Sequence, residues 1–317
     1  MNEARFAPIT YVRYKTLLAR INPAIGHMKI GKITAMHLEE FYKNLGMVVS
    51  DRTGKPLSPQ TIKHHHLCIS AILTDATRKQ LIPRNVASRQ FMDAPTVLKK
   101  EPVHLNDEQA QRFVSLLFEE EDVRKKAAFI ILIYAGLRIG ELLGLEWKDI
   151  DYKRQAISIK RTSQFCTGHG TITKAPKTNT STRTIKLPST VFTVLTEYRK
   201  WYNDQEFILG DKWVASDRLF VQWDGKPLNP TTPNKWLDEF AEKHGFPKIT
   251  PHSLRHTFVS LLIAGGVDIR TVAHKAGHSR TSTTSDIYSH VIQSADEAAS
   301  DVLDYILTGN KKYANNH

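Results

Sequence analysis

Three short patterns in this 317-residue chain carry side chains whose types and spacing could do chemistry. The first is Gly136-Leu-Arg138-Ile-Gly-Glu141. The second is His252-Ser-Leu-Arg255-His256, directly after Pro251. The third is Gly277-His278, followed by Tyr288 in Asp286-Ile-Tyr288-Ser-His290. A polar segment with Lys174 and Lys177 lies between the first and the second. Singly, each is ordinary. An arginine at a helix start is usually a surface residue or a carbonyl partner, a histidine three before an arginine a local polar pair, and a tyrosine ahead of a C-terminal helix a core residue. Taken together and in this order, they suit transesterification at a phosphodiester. A phenolate attacking phosphorus gathers negative charge on the non-bridging oxygens. Two guanidiniums, whose forks match phosphate geometry, neutralise that charge at any physiological pH. Histidines add hydrogen bonds and take up the tyrosine proton, because their pKa lies near the working pH. A lysine can protonate the departing 5′-oxygen. The tyrosyl ester to a 3′-phosphate stores the energy of the broken bond, so rejoining needs no ATP.

Helices must position most of these groups. Tyr11, Tyr14, Leu17, Leu18 and Ile21 fall at the three-and-four spacing of a helix over Ile9–Ile21, and Ile33–Leu45 repeats the pattern with Thr34 as N-cap. Ser58-Pro59 starts a third helix that runs to Lys79, and a short fourth is predicted over Val86–Met92. Residues 93–105, with two prolines and adjacent lysines, break all periodicity and read as a linker. Asn106 with Gln109 forms a capping box that opens a second domain. Helices are predicted there at 107–120, 122–135, 138–146, 189–203, 231–244, 252–265, 268–276 and 293–307. Ala156–Arg161 and Arg183–Leu187 alternate apolar and polar residues as strands do, with Lys174 and Lys177 between them. The expected fold is mainly α with a small antiparallel sheet. Its parts are a helical domain at 1–92, the linker at 93–105, an α/β domain at 106–293, and a C-terminal helix and tail at 294–317.

The formal net charge is +12, and residues 1–100 hold 16 Lys+Arg against 6 Asp+Glu while the rest hold 28 against 26. A basic excess confined to one third of the chain fits a module that meets a polyanion; a solvated basic face is the bland alternative. The two cysteines, Cys68 and Cys166, form neither a disulfide framework nor a zinc spacing, which suits a reduced, cytoplasmic setting. No signal sequence or membrane span is predicted.

With these motifs the chain resembles the tyrosine recombinase family, and within it the integrases of conjugative transposons and temperate phages of Gram-positive bacteria. The resemblance runs from about Ile9 to Leu307 and also covers Pro176-Lys177-Thr178. It implies a helical core-binding domain and a mixed α/β catalytic domain that clamp opposite sides of a duplex. It implies a site-specific recombinase of a mobile element, working through a 3′-phosphotyrosyl intermediate and a four-way junction. Arg138 and Arg255 would clamp the phosphate. Lys177, in the turn of a hairpin between the two strands, would be the general acid, with Lys174 close by. His252 would assist proton transfer, His278 would donate to a phosphate oxygen, and Tyr288 would be the nucleophile. Ala276 stands where the family more often has leucine, a packing change that leaves the chemistry intact. Lys15, Arg20, Lys63, Arg78, Lys79 and Lys174 become candidate DNA contacts. The implied partners are double-stranded DNA, a homo-tetramer coupled by the C-terminal helix, and accessory DNA-bending or directionality factors in the bacterial nucleoid. No cofactor, metal or membrane is implied. Many members carry an arm-binding domain ahead of the clamp; whether one belongs here is left open. Type IB topoisomerases use very similar residues, and a non-catalytic DNA-binding regulator on the same fold is the rival from another class.

Other conspicuous residues read as structural. His64, His65 and His66 point about 100° apart on a helix, cannot share one ion, and read as polar helix-face residues. Trp147, Trp201, Trp213, Trp223 and Trp236 read as core or edge packing, His169 as an exposed turn residue, and Gly309–His317 as a disordered tail.

Overall fold

The computed structural model describes residues 6–51, 53–98, 103–174 and 182–278. The chain divides into two units, Met1–Glu101 with Cys166–His169, and Pro102–Phe165 with Gly170–His317.

The first unit is built on three helices: α1 (Pro8–Ile25), α2 (Ala35–Met47) and α3 (Pro59–Arg78). Their starts are written locally. Thr34 Oγ1 accepts from the His37 amide, and Ser58 Oγ accepts from the Thr61 amide with Pro59 at the first helical position. Leu17, Ile21 and Ile25 of α1 meet Leu38, Phe41 and Leu45 of α2 and Ile69, Leu73 and Ala76 of α3 in one core.

Two expectations fail in this unit. Residues 86–92 form turns in place of a fourth helix. Asn85 explains this: its Oδ1 accepts from the Ala87 amide at 2.9 Å while its Nδ2 donates to the Ser70 carbonyl and to Thr74 Oγ1. The side chain closes a local turn and ties it to α3, so Ala87 and Met92 reach the core without helical backbone. His65 and His66 are also not polar surface residues, being 0% and 5% exposed. The His65 ring bonds the Thr61 carbonyl, and the His66 ring meets the Tyr42 hydroxyl at 3.2 Å. Among the described residues no His/Cys/Asp/Glu cluster has the make-up of a metal site.

The second unit contains α4 (Asp107–Phe118), α5 (Val123–Ala135), α6 (Ile139–Gly144), α7 (Ser189–Leu209), α8 (Thr232–Lys243), α9 (Pro251–Ala264) and α10 (Ile269–Ala276). Asn106 and Gln109 form the capping box of α4. Residues Ala127–Ile133 of α5 are buried on every side, and α5 packs against α7 and α9. Strands β1 (Ile150–Asp151), β2 (Ala156–Ile159) and β5 (Arg183–Lys186) form an antiparallel sheet in the order β1-β2-β5, with Ile159 opposite Arg183. β2 and β5 are therefore partners but not one simple hairpin. A separate two-stranded ribbon, β3 (Thr162–Cys166) and β4 (Gly170–Lys174), intervenes. The ribbon's polar sequence hid it from an alternation pattern. Arg218 ties β4 to the body of the unit, donating to Thr173 Oγ1 at 2.6 Å and to the Gly144 carbonyl at 3.0 Å. Of the tryptophans, Trp213 is buried, Trp147, Trp201 and Trp236 pack against the core, and Trp223 is exposed, contrary to the expectation of packing. No helix among the described residues is long and apolar enough to cross a membrane.

Candidate active site

The site forms where the α5–α6 junction, the start of α9 and the end of α10 converge. α5 ends at Gly136, whose φ of +58° is the left-handed conformation glycine adopts cheaply. A Cβ there would lie 2.2 Å from Cδ1 of Phe258 on α9, so glycine is also required by packing. The buried carbonyl of Gly136 accepts from Arg255 Nη1 at 2.7 Å. Two residues on, Arg138 is the N-cap of α6, and its own amide donates to Glu141 Oε2 at 3.0 Å.

α9 begins with a reciprocal cap between Thr250 and Ser253 and with Pro251 at its first position. This places His252, Arg255 and His256 at i, i+3 and i+4, hence on one face. The His252 and His256 rings meet edge to face at 4.4 Å. Arg255 is 2% exposed and His256 9%. The third piece is the left-handed turn at Gly277 (φ +67°) that closes α10 and delivers His278. Arg138 reaches across to it, donating from Nη2 to the Gly277 carbonyl at 2.9 Å.

Beneath this cluster lies Glu141, buried, between two arginines. Arg138 Nη1 contacts its Oε1 at 2.9 Å, and Arg183 Nη2 contacts its Oε2 at 3.0 Å. Burial pushes the Glu141 carboxyl up, but hydrogen bonding and charge from Arg183, with Arg138 adding, hold it below the usual carboxylate range. The histidines move the other way for a base. Burial first, then the charges of Arg255 and Arg138, lower His252. The same causes in the same order, with His256 and Arg183 adding, hold His278 down at about 4. Burial, with His252, Arg255 and His104, holds His256 at about 4. At neutral pH these imidazoles are therefore uncharged, each with one donor and one acceptor nitrogen, beside permanently charged guanidiniums. Such a cluster suits a bound phosphate: arginines supply the charge, and neutral imidazoles can donate to it or take a proton.

The structure thus brings together Arg138, His252, Arg255 and His278. Lys177 and Tyr288 lie outside the described residues, as do the predicted helix 293–307 and the tail. Three further members went unpredicted. Glu141 and His256 sit inside motifs already singled out. Arg183 was visible only as a charged residue on the Arg183, Ile185, Leu187 side of a strand, the side that is buried. Of the candidate DNA contacts, Lys15 and Arg20 lie on α1, exposed and half-buried, and Lys63 is half-buried on α3. Arg78 and Lys79, at the end of α3, are exposed and share Asp75. Lys174 closes β4.

Residues 104–294 match the model of the phage integrase family, and residues 1–46 match that of the phage integrase N-terminal SAM-like domain. A tyrosine recombinase XerC-like protein of Caldanaerobacter subterraneus subsp. tengcongensis is 27% identical over 90% of this chain and 75% of its own length. The ICEBs1 integrase of Bacillus subtilis is 26% identical over 88% and 72%. Among solved structures, the Tn1549 transposon integrase in complex with a circular intermediate DNA superposes with a TM-score of 0.76 over 93% of both chains, at 22% identity.

Proposed function

Since this chain belongs to the phage integrase family of tyrosine recombinases, we propose that it cuts and rejoins the DNA of a mobile element by transesterification through Tyr288. The observation that carries this reading is the convergence of Arg138, Arg255, His252 and His278 around one place where a phosphate can sit. The Tyr288 Oη proton passes to His252 as Oη bonds phosphorus. The P–O5′ bond breaks, and the leaving 5′-oxygen takes a proton from Lys177. The product is a 3′-phosphotyrosyl ester and a free 5′-hydroxyl, and a 5′-hydroxyl from a partner strand reverses the step. Arg138, Arg255 and His278 hold the charge that builds on the non-bridging oxygens.

Residues 1–92 would act as a helical clamp, with Lys15, Arg20, Lys63, Arg78 and Lys79 on phosphates and Lys174 meeting the duplex from the second unit. Exchange at two ends requires four protomers on DNA, coupled through the 294–317 segment, with accessory DNA-bending or directionality factors choosing the outcome. The test is a nicked duplex carrying the element's end, incubated in EDTA with wild type and with Tyr288→Phe. A covalent protein–DNA adduct is expected with wild type alone. An adduct that survives in Tyr288→Phe, or one that needs magnesium, refutes the mechanism. Sedimentation on the same duplex tests the assembly, since a purely monomeric complex contradicts the tetramer.

A further inference from the structure

Arg183 and its partner Glu141 are charged groups of the cluster that no step of the proposed chemistry uses, and the Arg183 side chain is 0% exposed. All three of its nitrogens are committed. Nε donates to the Lys275 carbonyl at 2.8 Å, and Nη1 and Nη2 reach the two oxygens of Glu141 at 3.3 and 3.0 Å. The guanidinium also lies directly under Gly277, where a Cβ would sit 2.5 Å from Nη1. Arg138 closes the ring, since it binds both Glu141 and the Gly277 carbonyl and its side chain is 43% exposed.

We propose that Arg183 is a positioning and charge-balancing residue for the transesterification, sharing the Glu141 carboxylate so that Arg138 keeps net positive charge toward the scissile phosphate, and fixing the turn that delivers His278. The inference rests on the recombinase reading. Arg138 and Glu141 alone would sum to zero charge, and a neutral pair attracts an anion poorly. The second guanidinium restores one net positive charge to the group of three. Because Arg183 is enclosed, that charge is expressed through the exposed Arg138. Its fixed fork places three separate nitrogens on two carboxylate oxygens and a backbone carbonyl, so lysine, with a single nitrogen, would not replace it in full.

The test compares two nicked substrates, one with an ordinary scissile phosphodiester and one with a neutral methylphosphonate at that linkage. The proteins are wild type, Arg183→Gln, Arg183→Lys and Glu141→Gln/Arg183→Gln, each checked for its native tryptophan fluorescence. Arg183→Gln should slow adduct formation on the phosphodiester by at least about tenfold more than on the methylphosphonate. Arg183→Lys should fall between it and wild type. The double variant, which removes the charge to be balanced, should recover rate on the phosphodiester relative to Arg183→Gln. If Arg183→Gln does not fold, the other two variants carry the comparison. Equal losses on both substrates in every folded variant, or no loss, would overturn the proposal. Should wild type form no adduct, the recombinase reading fails on its own. NMR titration of His278 without DNA then still tests Arg183: its pKa should rise when the neighbouring charge is removed, and an unmoved value refutes the charge-balancing role.

Discussion

Gly136→Ala is the sharpest single test of how the site is held. The substitution forces a Cβ onto a residue with φ of +58°, at a cost of about 1–2 kcal/mol for an L side chain in left-handed backbone. It also drives that Cβ to within 2.2 to 2.8 Å of three atoms of the Phe258 ring. Overpacking of this kind adds about 1–3 kcal/mol, so the total loss is about 2–5 kcal/mol. All five tryptophans lie at or beyond Trp147, so their fluorescence reports the second unit without interference from the first. With a urea slope of about 3 kcal/mol/M, the fluorescence midpoint should fall by roughly 0.7–1.7 M. The clash predicts coupling. Phe258→Ala alone should cost about 3–5 kcal/mol, yet the double variant should be more stable than additivity by about 1–3 kcal/mol, because the new methyl enters the vacated space. Adduct formation should fall in parallel, since the Gly136 carbonyl that holds Arg255 is displaced. A midpoint shift under about 0.3 M, or strict additivity with Phe258→Ala, refutes the account of this junction.

Glu141→Gln leaves the enclosed Arg183 guanidinium facing a neutral amide and should cost about 3–5 kcal/mol by the same fluorescence assay; a loss below about 1 kcal/mol contradicts the ring of contacts. His256 and His278 are held at about 4 when folded, against about 6.5 unfolded. Their contribution is therefore fully present above about pH 6.5 and lost as the pH falls toward 4. After allowance for solvent screening, the second unit should lose about 1–2 kcal/mol between pH 7 and 5, and a flat profile rules this out. Ser58→Ala removes the cap on the Thr61 amide and should cost about 1 kcal/mol, read from hydrogen exchange of the α3 amides. Arg78→Ala and Lys79→Ala should leave stability within about 0.5 kcal/mol, because their pairing with Asp75 is exposed. Each should lower the salt slope of DNA binding by about one, and an unchanged slope removes that residue from the interface.

Helix starts were legible in the sequence wherever the cap is local: Thr34, Ser58 and Asn106 act within three residues of themselves, and each stands where its spacing placed it. Features decided by distant partners were not. Arg183 meets Glu141 across 42 residues, and only that encounter turns a strand arginine into a member of the site. His66 is buried because Tyr42 offers a hydroxyl, which no helical wheel reveals. Val86–Met92 has helix-like apolar spacing, but one asparagine satisfies the same burial through a turn. α7 runs to Leu209 and not 203, since its last turn ends in the exposed Phe207 and Ile208, outside the apolar stripe that marked its start. Of the six residues first singled out, Arg138, His252, Arg255 and His278 converge although 140 positions separate the first from the last, an outcome local periodicity cannot supply.

The site's supports are unequal, and that has a consequence for control. Gly136 and Arg138 follow directly from α5, whose Ala127–Ile133 stretch is enclosed on all sides, and this half should be among the slowest regions to open in the native state. His278 hangs from α10, which is eight residues long. Its terminal turn is held from outside its own helix by Arg183 at Lys275 and by Arg138 at Gly277. A perturbation that loosens α10 alone can thus take His278 away while Arg138, still on Glu141, and Arg255, still on the Gly136 carbonyl, keep their places in the proposed phosphate clamp. Such a protein would bind its substrate in the resting condition and become competent only when the short helix is braced, a division of labour between a permanent grip and a detachable trigger.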